Sequence, residues 1–316
     1  MAVTTTTARR IGTVRDETSM ASKLVTLVAV VVPPLGVTAV AWSLWGIALH
    51  PVDIVLFVVM YVACGLGITV GYHRLFSHKS FKTTPAVRGT LAILGAMTIQ
   101  GPLTQWVTDH RKHHAHSDDD GDPHSPHVGR RGQHGRIMGL WWSHMGWLFR
   151  TKGMERGEQW GRDLYGDTLI RRIDRFYMLW VLLSVGIPFA IGYAVRGSAM
   201  AGVEAMVWAG LIRIFLFQHA TWCINSVCHT FGRRSYRTGD HSRNVWLLAL
   251  PSFGEAWHNN HHAFPGSAVH GVDRRQVDIS AWAIGTLERL GLAWDVKRMA
   301  PGRLAARREA AVAESP

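Results

Sequence analysis

Four apolar runs, at residues 24–49, 52–71, 176–195 and 200–222, set the terms for this chain. A helix needs about 20 mostly apolar residues to cross hydrocarbon. In lipid the backbone N–H and C=O groups must also be satisfied within the segment, which leaves helices or closed barrels. Runs this long predict an all-α integral membrane protein with four transmembrane helices. Pro33-Pro34 is expected to kink the first run without ending it. That run is also too long for the apolar core of a cleavable secretory signal.

The short gaps fix the expected topology. A few residues around His50-Pro51 join the first two runs, and Arg196-Gly197-Ser198 joins the last two. Two hairpins follow, so both termini and the polar segment 73–175 share one side. Arg130, Arg131, Arg150, Arg171 and Arg172 lie in that segment, and the excess of Lys and Arg assigns that side to the cytoplasm. The expected organisation is a polar tail (1–23), a main domain (24–299) and a basic Ala/Arg-rich tail (300–316). Residues 73–175 and 223–299 form a cytoplasmic helical cap. A fifth apolar stretch, 86–107, is broken by Gly101-Pro102 and reads as an interfacial or buried helix.

Composition agrees. Charged residues make up 18% of the 316, against about 25% in soluble domains, and mean hydropathy is +0.06. The net charge of +12 fits a basic cytoplasmic face, and no nucleic-acid partner is expected. Three cysteines exclude a disulfide scaffold. There is no glycine-rich phosphate loop and no dinucleotide-binding fingerprint.

The chain has 18 histidines, and half of them are patterned. His73 and His78 bracket HRLFSH after the second run, His110, His113 and His114 form HRKHH, and His258, His261 and His262 form HNNHH. His229 stands four residues beyond Asn225. A helix turns about 100° per residue, so positions i, i+3 and i+4 share a face. Each HxxHH box is therefore expected to aim a row of imidazoles one way. His73 and His78, five apart, fit best where the helix unwinds or curls over the site. Protonated imidazoles packed together repel, and neutral ones without partners gain nothing, so a metal resolves both problems. Nine ligands exceed one ion's capacity, and two ions with four or five nitrogens each account for them. Imidazole suits Zn, Cu, Fe and Ni alike. The remaining histidines, among them His50, His219, His241 and His270, read as structural or solvated, and His116, His124, His127, His134 and His144 as surface or capping, with a place behind the ligands as the alternative for some of these five.

The boxes HRLFSH, DHRKHH and HNNHH resemble those of the membrane fatty acyl desaturases, closest to the Δ9 acyl-CoA branch of bacterial type. The neighbours are similar too: Gly71-Tyr72 before the first box, Gly121-Asp122-Pro123-His124 after the second, Glu255-Ala-Trp before the third and Phe264-Pro265 after it. The resemblance covers roughly residues 25–270 and implies a di-iron centre held by His73, His78, His110, His113, His114, His229, His258, His261 and His262. Asn225 would hold a water at one iron. It also implies a bent substrate tunnel around Gln100, Trp106, Thr221 and Trp222.

The implied reaction is O2-dependent insertion of a cis double bond, at Δ9, into a saturated long-chain acyl-CoA. No protein side chain removes hydrogen from an unactivated methylene, so the hard chemistry belongs to the metals. The chain carries no flavin or nicotinamide motif and no His-Pro-Gly-Gly haem motif. Electrons are therefore expected from a separate ferredoxin- or flavin-type reductase, and the setting is a bacterial plasma membrane. Arg130, Arg131, Arg150 and Lys152 are candidates for a CoA headgroup. The animal enzymes carry an Arg where this chain has Thr108, which keeps an acyl-lipid desaturase, or a hydroxylase of the same superfamily, as the rival. A His-rich metal transporter is a distant second, because it would place its ligands inside the spans. Glu204 and Arg213, both within the fourth run, have no role in this reading.

Overall fold

The computed structural model describes residues 49–128, 135–150 and 157–313, with isolated residues between 24 and 36. The first expected span, the tail 1–23, and Arg130, Arg131 and Lys152 lie wholly or almost wholly outside the described residues. In chain order the elements that build the site are α1 (Pro51–Ser77), β1 (Lys82–Thr83), α2 (Pro85–Ala96), α3 (Leu103–His116), α4 (Thr168–Arg175), α5 (Tyr177–Arg196), α6 (Ala199–Ser226), α7 (His258–Ala263), α8 (Ile279–Arg289) and β2 (Ala293–Trp294). A further helix, α9 (Pro301–Ala313), follows, and short helical turns occupy 136–150 and 157–165.

Among the described residues three helices are long and apolar enough to cross a membrane: α1, α5 and α6, of 27, 20 and 28 residues. The second expected span thus continues past residue 71 through His73 to Ser77. The fourth starts at 199 and runs on to 226, carrying Asn225 at its end. On α1 the buried stripe is Leu56, Met60 and Cys64, four residues apart, while Val55, Val58 and Val59 face outward. On α5 Met178 and Leu182 are exposed, the latter by 62%. Contiguous apolar surface of this kind is the face a bilayer solvates.

Local sequence explains where the helices begin and end. Pro51 and Pro85 stand at first helical positions, where a missing N–H costs nothing. The Thr84 hydroxyl accepts from Val87 N–H (3.3 Å) at the start of α2. Gly197, at φ 70°, ends α5, and Ser198 then caps α6 through the Ala201 N–H at 3.1 Å. Close crossing of α1 and α2 depends on glycine. A Cβ on Gly67 would lie 2.2 Å from the Gly95 nitrogen.

The stretch 86–107 divides into α2 and α3 rather than forming one helix. Ile99 (φ 59°) and Gly101 (φ 103°) turn the chain, and Asp174 caps α3 by accepting from Leu103 N–H (2.9 Å) and Thr104 N–H (3.0 Å). Burial raises the Asp174 carboxyl to about 6. Arg213 is fully buried, and its guanidinium donates to Met97 O (3.1 Å), Ser184 O (3.2 Å), Ser184 Oγ (2.7 Å) and Ala209 O (3.1 Å). It therefore ties the end of α2 and the middle of α5 to α6. Glu204 instead pairs with Arg196 at 2.5 Å, beside Asp53. The two charges belong to separate networks.

The antiparallel pair β1·β2, in register Lys82↔Trp294 and Thr83↔Ala293, ties the segment after α8 to the turn after the first box. Phe76, Phe81, Leu103, Ile170 and Ile284 pack in one core beneath it.

Candidate metal centre

The end of α1 that carries the first box is wound as a π-helix from Gly67 to Ser77, and His78 N–H donates to His73 O at 3.1 Å, an i→i+5 bond. Such turns are rare and recur at functional sites. The wider winding brings residues five apart towards one side, and the His73 and His78 rings lie 4.9 Å apart.

Ligand atoms of five histidines, His73, His78, His110, His114 and His261, lie within 4.8 Å of one another, and those of His113, His229, His258 and His262 form a second such group. The HxxHH boxes therefore do not aim one way. On α3 His110 and His114 go to the five-residue group and His113 to the other. On α7 His258 and His262 go to the four-residue group and His261 to the first. The i+4 position is rotated only about 40° from i, whereas i+3 is rotated about 60° the other way. Each helix thus divides its box between two neighbouring sites, and the two helices do so reciprocally.

Within the groups the Nε2 atoms face each other: His73–His261 at 3.1 Å, His78–His110 at 2.8 Å, His114–His261 at 2.9 Å and His229–His258 at 2.9 Å. Several Nδ1–H groups are committed outward. His113 donates to Asp122 (3.0 Å), His229 to Asp118 (2.8 Å), His262 to Asp240 (2.6 Å) and His73 to Glu255. With Nδ1 protonated, Nε2 carries a bare lone pair, the tautomer that binds a metal. His262 Nε2 is buried without a hydrogen-bond partner. Imidazole nitrogens crowded this way, with buried nitrogens of His258, His261 and His262 left without a partner, are unfavourable in a dry interior without a cation among them. The donor set fits two metal ions.

Electrostatics agree. Burial pushes His78, His110, His114, His258 and His261 well below the usual imidazole range, and neighbouring imidazoles add to the effect. Burial also takes His262 to about 4 and His124 to about 3. Burial opposes the charged form of His113 too, yet Asp122 beside it raises that ring. Burial alone would raise Asp118, Asp122 and Asp240, but imidazole N–H donors hold all three well below the usual carboxylate range. Burial thus favours the neutral form of His78, His110, His114, His258, His261 and His262, while the three carboxylates stay charged.

A cavity opens beside both groups. His73, His110, His113, His258 and Asn225 line it together with the apolar Ile68, Trp106, Phe217 and Ile224 and with Thr69 and Thr221. Three of the sequence-predicted tunnel residues are linked: Gln100 donates to Thr221 Oγ1 (3.1 Å) and accepts from Trp106 Nε1–H (3.3 Å). The Trp106 ring stacks on His110 at 5.1 Å. Trp222 faces elsewhere, against His219 and His144 at 5.0 and 5.8 Å. Of the headgroup candidates only Arg150 is described, as the end of a short helix (Trp147–Arg150).

Sequence reasoning gave no role to Asp118 or Asp240, named Glu255 only as a neighbour of the third box, and read His270 as structural or solvated. His270 is not solvated. It is fully buried, 3.1 Å from Arg74 Nη2 and 3.6 Å from Glu255. Gly254 permits that crowding, since a Cβ there would lie 2.6 Å from Asp278 Oδ1. His124 is buried against Asp122 and His113 rather than on the surface. Asp122 and Glu255 were visible only as neighbours of the second and third boxes, and Asp118, Asp240 and His270 come from loops with no periodic signal.

Residues 49–278 match the family model described as Fatty acid desaturase. The chain is 40% identical over 270 residues to a hex-5-enoyl-[acyl-carrier protein] acetylenase of Moorena producens, covering 84% of each chain. It is 35% identical over 258 residues to an sn-1 stearoyl-lipid 9-desaturase of Anabaena variabilis, covering 81% of this chain and 85% of the relative. It is 38% identical over 244 residues to an acyl-CoA 5-desaturase of Anemone leveillei, covering 75% and 70%. With its histidine clusters, its membrane-length helices and a match over most of its length, this chain belongs to the fatty acid desaturase family.

Proposed function

We propose that the protein is an O2-dependent desaturase that inserts a cis double bond at Δ9 of a saturated long-chain acyl group, carried as acyl-CoA. The observation that supports this reading is the cavity: apolar walls lead to two groups of imidazole nitrogens arranged for two metal ions. We assign iron to both, His73, His78, His110, His114 and His261 holding one ion and His113, His229, His258 and His262 the other, with Asn225 holding a water at the second. When bound, the irons supply the O2-derived oxidant that removes two hydrogens from the chain. Overall, one O2, two electrons and two protons convert a –CH2–CH2– unit into –CH=CH– and two waters.

The chain's own residues do the rest. Trp106, Gln100 and Thr221 form a hydrogen-bonded wall that fixes where a methylene lies against His110 and His73. Ile68, Phe217 and Ile224 keep water from the acyl chain. In this reading four spans carry a cap that faces the cytoplasm of a bacterial cell, where a separate ferredoxin- or flavin-type reductase delivers the electrons. Arg130, Arg131, Arg150 and Lys152 serve the headgroup.

A second reading concerns the carrier. The Anabaena relative is named for a stearoyl-lipid, which favours an acyl-lipid substrate. Expression in a desaturase-deficient host, with the double bond located by mass spectrometry, tests the reaction. Monounsaturation at Δ9 is expected; a hydroxylated product or none contradicts it. In membranes given labelled stearoyl-CoA or labelled glycerolipid, label appearing first in oleoyl-CoA supports the thioester, and unsaturation of lipid alone supports the second reading.

A further inference from the structure

The nine imidazoles divide five and four, but among the described residues the carboxylates behind them divide one and three. In the four-imidazole group three rings have a carboxylate on Nδ1: Asp122 behind His113, Asp118 behind His229 and Asp240 behind His262. The same carboxylates also accept from neutral donors. Asp118 accepts from Ser125 Oγ–H (2.7 Å) and His241 N–H (2.8 Å). Asp122 accepts from Asp118 N–H (2.9 Å) and His124 N–H (3.0 Å). Asp240 accepts from Thr238 Oγ–H (2.8 Å) and Ser242 N–H (3.0 Å). Two loops, around 118–124 and 238–242, thereby fix three negative charges against one ligand set.

The five-imidazole group is different. Among the described residues only His73 has a carboxylate behind it, Glu255, and that carboxylate is shared with Arg74, whose Nη2 lies 3.0 Å from Glu255 Oε1. Arg74 is fully buried and also pairs with Asp278 at 2.9 Å. Arg74 thus offsets one of the two carboxylates behind the one supported ring, which leaves a single net negative charge there against three at the other group.

We propose that the four-imidazole site binds its metal ion more tightly than the five-imidazole site and is filled first, with Asp118, Asp122 and Asp240 as the positioning residues that set the order. This rests on the two-iron reading above. The fifth nitrogen favours the other site, but a water completes the coordination of the four-imidazole site at small cost. A carboxylate behind a ligating imidazole orients the ring and raises its basicity, and its loss typically costs about 10–100-fold in metal affinity. Three such partners outweigh one extra neutral donor. A divalent ion entering a dry pocket also gains from each nearby negative charge and loses against a buried arginine.

The test uses the full chain in detergent micelles and anaerobic Fe2+. His78→Ala with His114→Ala leaves the four-imidazole site intact, and His229→Ala with His262→Ala leaves the other. The first pair is expected to bind iron at least about 10-fold more tightly than the second. Adding Asp118→Asn, Asp122→Asn and Asp240→Asn, which keep shape but remove charge, should weaken the first by about 100-fold or more. Glu255→Gln in the second pair should cost less than about 10-fold. In the unaltered chain crystallised with one equivalent of iron, anomalous density should fall in the four-imidazole site, a readout independent of how the variants fold. Density in the five-imidazole site or shared equally, or an unchanged affinity in the triple Asn variant, overturns the order. An unaltered chain that takes up no iron overturns the two-iron reading itself.

Discussion

Two buried polar regions of this protein solve opposite problems. Near the middle of α6, Arg213 is enclosed by apolar helices and every bond it makes goes to a group of the fold itself: three carbonyls and one hydroxyl. Some turns away, His229 and the boxes converge on each other, Nε2 against Nε2, with His262 Nε2 left without a partner. The first region is complete as folded. The second is built so that its inner nitrogens converge where a cation would sit, while the outer N–H groups of His73, His113, His229 and His262 are already anchored on carboxylates. Buried polar groups signal function when the fold itself leaves them unsatisfied.

The sharpest way to break this contrast is to remove one inward nitrogen from each group. His261→Ala and His262→Ala are each expected to lower desaturation to background and reduce iron per folded chain from two to one or fewer, read by elemental analysis. Retention of two irons in both variants would put the ligands elsewhere.

Next in size is the response to acid. His110, His114, His258 and His261 have folded pKa values pushed down by burial, while in the unfolded chain they titrate near about 6.5. Below that pH the unfolded chain takes up protons that the folded chain refuses. Stability of the metal-free protein is therefore full above about pH 6.5 and falls beneath it. By pH 5.5 each imidazole costs up to about 1.4 kcal/mol. Thermal unfolding of metal-free protein between pH 8 and pH 5.5 checks this, and a flat profile would count against a neutral imidazole core.

Arg213→Ala tests the other region. Its loss leaves buried carbonyls unpaired and a cavity, at a cost of about 3 kcal/mol, seen as a lower unfolding midpoint. Iron per folded chain is expected to stay at two, which separates the self-satisfied region from the metal-binding one. Smallest is Trp106→Phe, which deletes the 3.3 Å bond to Gln100 while keeping the ring. It is expected to leave iron content unchanged, lower turnover by about 3-fold, worth about 0.7 kcal/mol, and blur the position of the double bond.

The helices and the nine imidazoles were legible in the sequence because both are periodic. Twenty apolar residues or an HxxHH box carry their geometry in their spacing. The division of each box between two sites was not, since spacing gives directions around one helix and not where a second helix crosses it. Asp118, Asp240 and Glu255 were hidden for a related reason. They act from loops, and only tertiary approach brings them to an Nδ1. Arg213 had no reading because its partners, Met97, Ala209 and Ser184, offer chiefly backbone carbonyls, which no sequence pattern reports.

The most direct measurement is metal analysis and Mössbauer spectroscopy of the purified chain loaded with 57Fe. Two irons per chain, in two inequivalent nitrogen-rich environments, both lost when the nine histidines are replaced, is the result the account predicts. A chain that desaturates its substrate with one iron or none would contradict it.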